Sequence, residues 1–79
     1  MTINEFRDVL SATPFQPFIV HIANGRTIPV PHPDFVFFTG KGRTAIISRP
    51  EDDGFAIVDL LLITQLEVLG KAARVAEGS

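Results

Sequence analysis

The chain reads as a mostly β domain, a small α+β protein in which a short N-terminal helix packs on a bent five-stranded antiparallel sheet or a small open barrel. Two observations carry that expectation. Residues 13–33, T-P-F-Q-P-F-I-V-H-I-A-N-G-R-T-I-P-V-P-H-P, set an apolar strand and a proline-bearing return strand on either side of an Asn-Gly turn, a strong hairpin signal. Downstream, runs rich in Phe, Val and Ile alternate with clusters of Gly, Pro and Asp, as expected of further antiparallel strands joined by turns. A helix on a flatter five- or six-stranded sheet is the alternative arrangement.

The helix is announced by Thr2 and Glu5, whose T-x-x-E spacing is that of a capping box and predicts a start at Ile3. Ile3, Phe6, Val9 and Leu10 recur at helical spacing, while Asn4, Glu5, Arg7, Asp8 and Ser11 face outward. Pro14 disfavours helical geometry at Thr13, and Pro17 repeats the veto, so residues 14–17 form an elbow. Phe15 and Phe18 flank it and are expected to pack the helix onto the sheet, because a helix this short is unstable alone in water.

The first strand, residues 18–23, is apolar on both faces apart from His21, which predicts cover on both sides. Asn24-Gly25 suits a type I′ turn, since Asn tolerates positive φ and Gly accepts it freely. Pro29 and Pro31 in the return strand, residues 26–31, lack amide hydrogens, so that strand must be an edge, a bulge or sharply bent. After a turn at His32-Pro33-Asp34, the run Phe35, Val36, Phe37 and Phe38 leaves little room for a solvated face and is read as buried on both. Further strands are expected at residues 44–48, 55–59 and 63–69, with a break within Leu60, Leu61 and Leu62. A single domain over residues 1–69 and a flexible tail over 70–79 complete the plan.

A chain of 79 residues buries a smaller share of its surface than a larger one. Yet 46% of its residues are apolar and seven are phenylalanine, more than a core of this size hides with ease. That surplus points to a homo-oligomer. Cysteine is absent, which removes disulfides, zinc-thiolate sites and thiol chemistry and fits a reducing cytoplasm. No signal segment is visible, and an unbroken apolar run such as residues 60–63 is far too short to span a bilayer, so a soluble cytoplasmic protein without membrane contact is expected.

Few residues suggest chemistry. A net charge of −2 argues against a broad basic surface, although Arg26, Lys41, Arg43 and Arg49 all fall at turns or strand ends where a fold can bring them together on RNA. The two glycines of Gly40-Lys41-Gly42-Arg43 lack the spacing and following helix of a phosphate loop, and residues 49–54 lack the spaced ligands of a calcium loop. His21 sits among aliphatic residues and His32 in a proline turn beside Asp34, neither with a nucleophile nearby in sequence. Asp59 reads as a cap for the following backbone turn. No catalytic residue, cofactor-binding residue or metal ligand is therefore assigned, and an enzyme ranks last among the functional classes.

The order of elements, with Ile22-Ala23-Asn24-Gly25 at the first turn and Ile63-Thr64-Gln65-Leu66 in the closing strand, resembles the Sm-like fold and in particular the bacterial Sm-like RNA chaperones. The likeness spans about residues 3–69 and implies an Sm-like or SH3-like barrel acting as an RNA-binding ring. Where that family carries a Lys-His pair before the closing strand, this chain has Leu60, Leu61 and Leu62, an apolar run better suited to an oligomer contact. Pro14-Phe15-Gln16-Pro17-Phe18, Asn24-Gly25-Arg26 and His32-Pro33 resemble, more specifically, a set of small uncharacterised bacterial proteins. That likeness implies a bacterial source and a single domain, without a mechanism. The expected function is a non-enzymatic protein-interaction module whose first partner is itself and whose others are proteins, with the RNA-binding ring as the alternative.

Overall fold

The structure is a computed structural model that describes residues 1–49 and 51–70. It is mostly β. Helix α1 (Ile3–Leu10) is followed by strands β1 (Phe18–Ile22), β2 (Thr27–Val30), β3 (Val36–Thr39), β4 (Thr44–Ser48), β5 (Phe55–Asp59) and β6 (Ile63–Val68). Short 3-10 turns at Pro33–Phe35, Gly40–Gly42 and Leu60–Leu62 join several of them. No helix among the described residues is long and apolar enough to cross a membrane.

Helix α1 starts where the capping box places it. The Thr2 hydroxyl accepts from the Glu5 amide at 3.2 Å, and the Glu5 carboxylate accepts from the Thr2 amide at 3.0 Å. Of the apolar stripe only Phe6 is fully buried. Its ring meets Phe18 and Phe38 edge to face, with centroids 5.7 and 5.1 Å away, so one side chain joins the helix to both sheets. Phe15 adds a third such contact, 6.0 Å from Phe18.

The expected single five-stranded sheet is instead two three-stranded antiparallel sheets, ordered β2-β1-β6 and β3-β4-β5, and they do not close into a barrel. The cause lies in the prolines. Pro29 stands opposite Ile19 on β2, an edge strand, where its missing amide costs the ladder nothing on the open side. Past Pro31 the chain turns through Pro33–Phe35, capped by the His32 ring, whose Nδ1 accepts from the Asp34 amide at 3.2 Å. Strand β3 therefore leaves β2 and begins a second sheet. A common core joins the two: Phe18 and Val20 from β1, Ile28 and Val30 from β2, Ala45 and Ile47 from β4, with Val58, Leu60 and Ile63.

The first hairpin keeps its position but not the expected turn type. Gly25 has φ +91°, whereas Asn24 keeps negative φ. The Gly25 amide bonds the Ile22 carbonyl at 2.9 Å and the Ile22 amide bonds the Arg26 carbonyl at 2.9 Å, which is a type I turn closed by a left-handed glycine. Asn24 contributes through its side chain, accepting from the Arg26 amide at 2.9 Å.

Strand β6 returns to pair with β1, with a register shift between His21 and Ile22. The expected tail over residues 70–79 lies, from residue 71 onward, outside the described residues.

Candidate functional site

Because side chains alternate across a pleated strand, each strand of the β3-β4-β5 sheet sends one set inward and one outward. Inward go Val36 and Phe38, Ala45 and Ile47, Ala56 and Val58. Outward go Phe37, Ile46 and Ile57, and the register lines these three up as one row across the sheet. Phe55, opposite Ser48, extends the row toward the β4-β5 turn, while Thr39, Thr44 and Asp59 bound it at the other end.

This outer face is uncovered among the described residues. Phe37 and Ile57 are each 67% exposed and Phe55 60%, whereas residues one position away, Ala45, Ile47 and Val58, are almost wholly buried. The expectation that the Phe35–Phe38 run is covered on both faces is therefore corrected. Among the described residues one eight-residue helix caps a single end of the core, and no second layer lies over this sheet.

The two ends of the same sheet carry opposite charge. Before β4 lies the turn containing Lys41 and Arg43, both exposed. After β4 lies the turn containing Glu51, Asp52 and Asp53. Arg49 pairs with Asp52 at 3.3 Å, while among the described residues Glu51, Asp53, Lys41 and Arg43 make no ion pair within 4 Å; Glu51 nonetheless shares a cleft with Arg49, and Arg43 a recess with Asp59. Asp59, at the basic end, accepts from the Leu61 amide at 2.9 Å, the capping role read from sequence.

The basic residues proposed for RNA fall in two pairs. Arg26 and Arg49 line a cleft of about 520 Å³ between the β1-β2 turn and β5, in the company of Glu51 and Asp59, so its lining is mixed in sign. Arg43 lines a separate recess of about 330 Å³ with Met1, Gly42, Asp59, Leu60 and Leu61, again mixed in sign, and Lys41 shares its turn. The leucine run divides too. Leu60 is 3% exposed and belongs to the core, a correction to its expected place in an oligomer contact, while Leu61 and Leu62 are 83% and 50% exposed.

Among the described residues neither histidine ring bonds a nucleophile. His21 Nε2 lies 2.8 Å from Glu67 Oε1 across the β1-β6 pair, a bond between partly exposed side chains. His32 Nδ1 is an acceptor from backbone, which places the proton of the neutral ring on Nε2, and the Asp34 carboxylate at 3.6 Å is beyond hydrogen-bond reach. Among the described residues no group of His, Asp and Glu has metal-binding geometry.

Sequence reasoning missed the Phe37, Ile46, Phe55 and Ile57 face. The signal was present in β5, where Phe55 and Ile57 occupy one parity and Ala56 and Val58 the other, so both faces are apolar, with a single short helix among the described residues to cover them. Comparison of the chain with family models, with curated proteins and with solved structures finds no match.

Proposed function

We propose that the protein is a non-enzymatic interaction module that works as a homo-oligomer. The observation that carries this reading is the row Phe37, Ile46 and Ile57, with Phe55 beside it, on a sheet face that nothing in the described chain covers. Contiguous exposed apolar patches of a few hundred Å² are where soluble proteins bind partners. Leu61 and Leu62 add apolar surface at the β5-β6 turn and keep their proposed part in the contact.

In the same reading the two sheets are halves of a bent, open Sm-like or SH3-like barrel. The return of the last strand to the first, after a 3-10 turn, supports it. The absence of cysteine supports a cytoplasmic setting, and the likeness of the proline elbow to small bacterial proteins supports a bacterial one.

Size-exclusion chromatography with light scattering, run with and without a short mixed-sequence RNA, tests the reading. The expected result is a discrete oligomer that ignores RNA. A monomer at every concentration removes homo-oligomerisation. A shift with RNA that weakens with salt and disappears on Arg26→Ala and Arg43→Ala replaces the reading with an RNA-binding one.

A further inference from the structure

An apolar sheet face that also carries opposite charges at its two ends constrains what can lie on it. A second copy of the same face presents matching apolar surface at no cost in new chemistry, and a two-fold interface requires that each patch be complementary to itself. Sheets stacked face to face sit about 10 Å apart with interdigitated side chains. When the two sheets stack with their strands roughly aligned, the two-fold axis between them runs either along the strands or across them.

With the axis along the strands, the turn holding Lys41 and Arg43 faces its own counterpart, and the acidic turn at residues 51–53 does the same. Like charges then meet at both ends. With the axis across the strands, each basic turn meets an acidic turn, and the Ile57 and Phe55 levels of the two copies overlap. The net charge of each end, positive where Lys41 and Arg43 outnumber Asp59 and negative where Glu51, Asp52 and Asp53 outnumber Arg49, selects the second arrangement.

We infer that the occupant of the β3-β4-β5 face is the same face of a second copy, turned about a two-fold axis that crosses the strands. The inference rests on the reading of the protein as a self-associating module and specifies how it associates. Phe37 and Phe55 alone expose roughly 250 Å² per copy, taking about 200 Å² for a whole aromatic side chain. Counted on both copies, with Ile46, Ile57 and the polar rim of Thr39, Thr44 and Ser48 added, the contact approaches the lower bound of about 1,200 Å² for a specific interface. A contact of that size is reversible, and the charged turns then fix its register and give it salt dependence.

The test uses the full chain in two charge-altered forms. One carries K41N and R43E, the other E51K and D53N; asparagine keeps the left-handed backbone that Lys41 and Asp53 both adopt at φ 59°. In the inferred dimer each form repels itself at both ends, yet the two forms match each other at both ends. Each alone is expected to dimerise at least tenfold more weakly than the parent at low salt. An equimolar mixture is expected to recover the parental mass as a heterodimer, seen by native mass spectrometry.

Ile57→Glu, with an unchanged circular dichroism spectrum, is expected to be monomeric and mixing is expected not to rescue it. If the charge variants dimerise as the parent does while Ile57→Glu is monomeric, the face is used but the two-fold arrangement is overturned. If Ile57→Glu still associates, self-association stands through another surface and the inference falls. A parent chain that is monomeric throughout, with this face covered by its own residues 71–79 or left bare, removes both readings.

Discussion

Phe6 of the helix and Phe18 at the start of β1 meet edge to face, with ring centroids 5.7 Å apart and planes inclined at 81°. Both rings are wholly buried, and Phe6 touches Phe38 of the second sheet as well. The contact therefore holds the helix, the first sheet and the second sheet together at one point.

Phe6→Ala is expected to cost about 3–5 kcal/mol, since it removes a buried ring and leaves a cavity bounded by all three layers. A domain of 79 residues has only about 4–12 kcal/mol of stability, so the variant loses a large share of it. Urea unfolding followed by circular dichroism checks this, and Phe6→Leu is expected to recover most of the loss. A small effect for Phe6→Ala shows that the helix is not fastened here.

Glu5 governs an acid-sensitive part of the stability. Its carboxylate is held below the ordinary range by the hydrogen bond from the Thr2 amide, then by that from the Thr2 hydroxyl; desolvation opposes them, and the N-terminal ammonium adds a lesser lowering. A carboxylate whose folded pKa is depressed stabilises the fold fully above its unfolded pKa, and that contribution fades as pH falls through the folded value. Thermal melts from pH 7 down through the carboxylate range are expected to show a steeper decline in the parent than in Glu5→Gln, in which the capping box persists without the titration. Parallel declines refute the assignment.

Gly25→Ala separates backbone strain from crowding. Nothing lies within 4 Å of where a Cβ would stand, but φ there is +91°. The expected cost is about 1–2 kcal/mol, all of it conformational. Gly25→Asn is expected to cost less, because asparagine tolerates the left-handed region; equal costs for the two variants argue against that explanation.

The His21 bond to Glu67 is expected to contribute little. Both side chains are partly exposed, at 31% and 48%, and pairs of this kind give about 0–1 kcal/mol. A double-mutant cycle of His21→Ala and Glu67→Ala measures the coupling directly. A value well above that range points to a structural role for the pair that its exposure does not indicate.

Much of the local structure was legible because its causes are local. The Thr2 and Glu5 spacing gave the helix start, Pro29 and Pro31 narrowed β2 to an edge, a bulge or a bend, of which the structure has the edge, and Asp59 announced the cap of the turn that follows it. What failed depended on which layer lies over which. Alternation in Val36, Phe37 and Phe38 says that two faces exist, not that both are covered, and Phe37 is exposed because no element among the described residues lies over its face. Likewise Leu60 and Leu61 are equally apolar, yet the 3-10 turn aims one into the core and the other into solvent. The division into two sheets, and with it the position of the candidate face, follows from where the chain leaves β2, which prolines make possible without fixing the direction taken.

The pairing of β1 with β6 also bears on how the chain is made. Strands β3, β4 and β5 form a meander of neighbours, complete once residue 59 has left the ribosome. Strand β1 emerges far earlier but must wait for Val68 to meet Phe18. Long-range closure of this kind is slow, and until it happens the first strand presents an open edge to any other nascent chain nearby. A released chain cut short before Ile63 keeps every strand of the meander but lacks the one that covers β1, so that edge stays open to pairing with another chain.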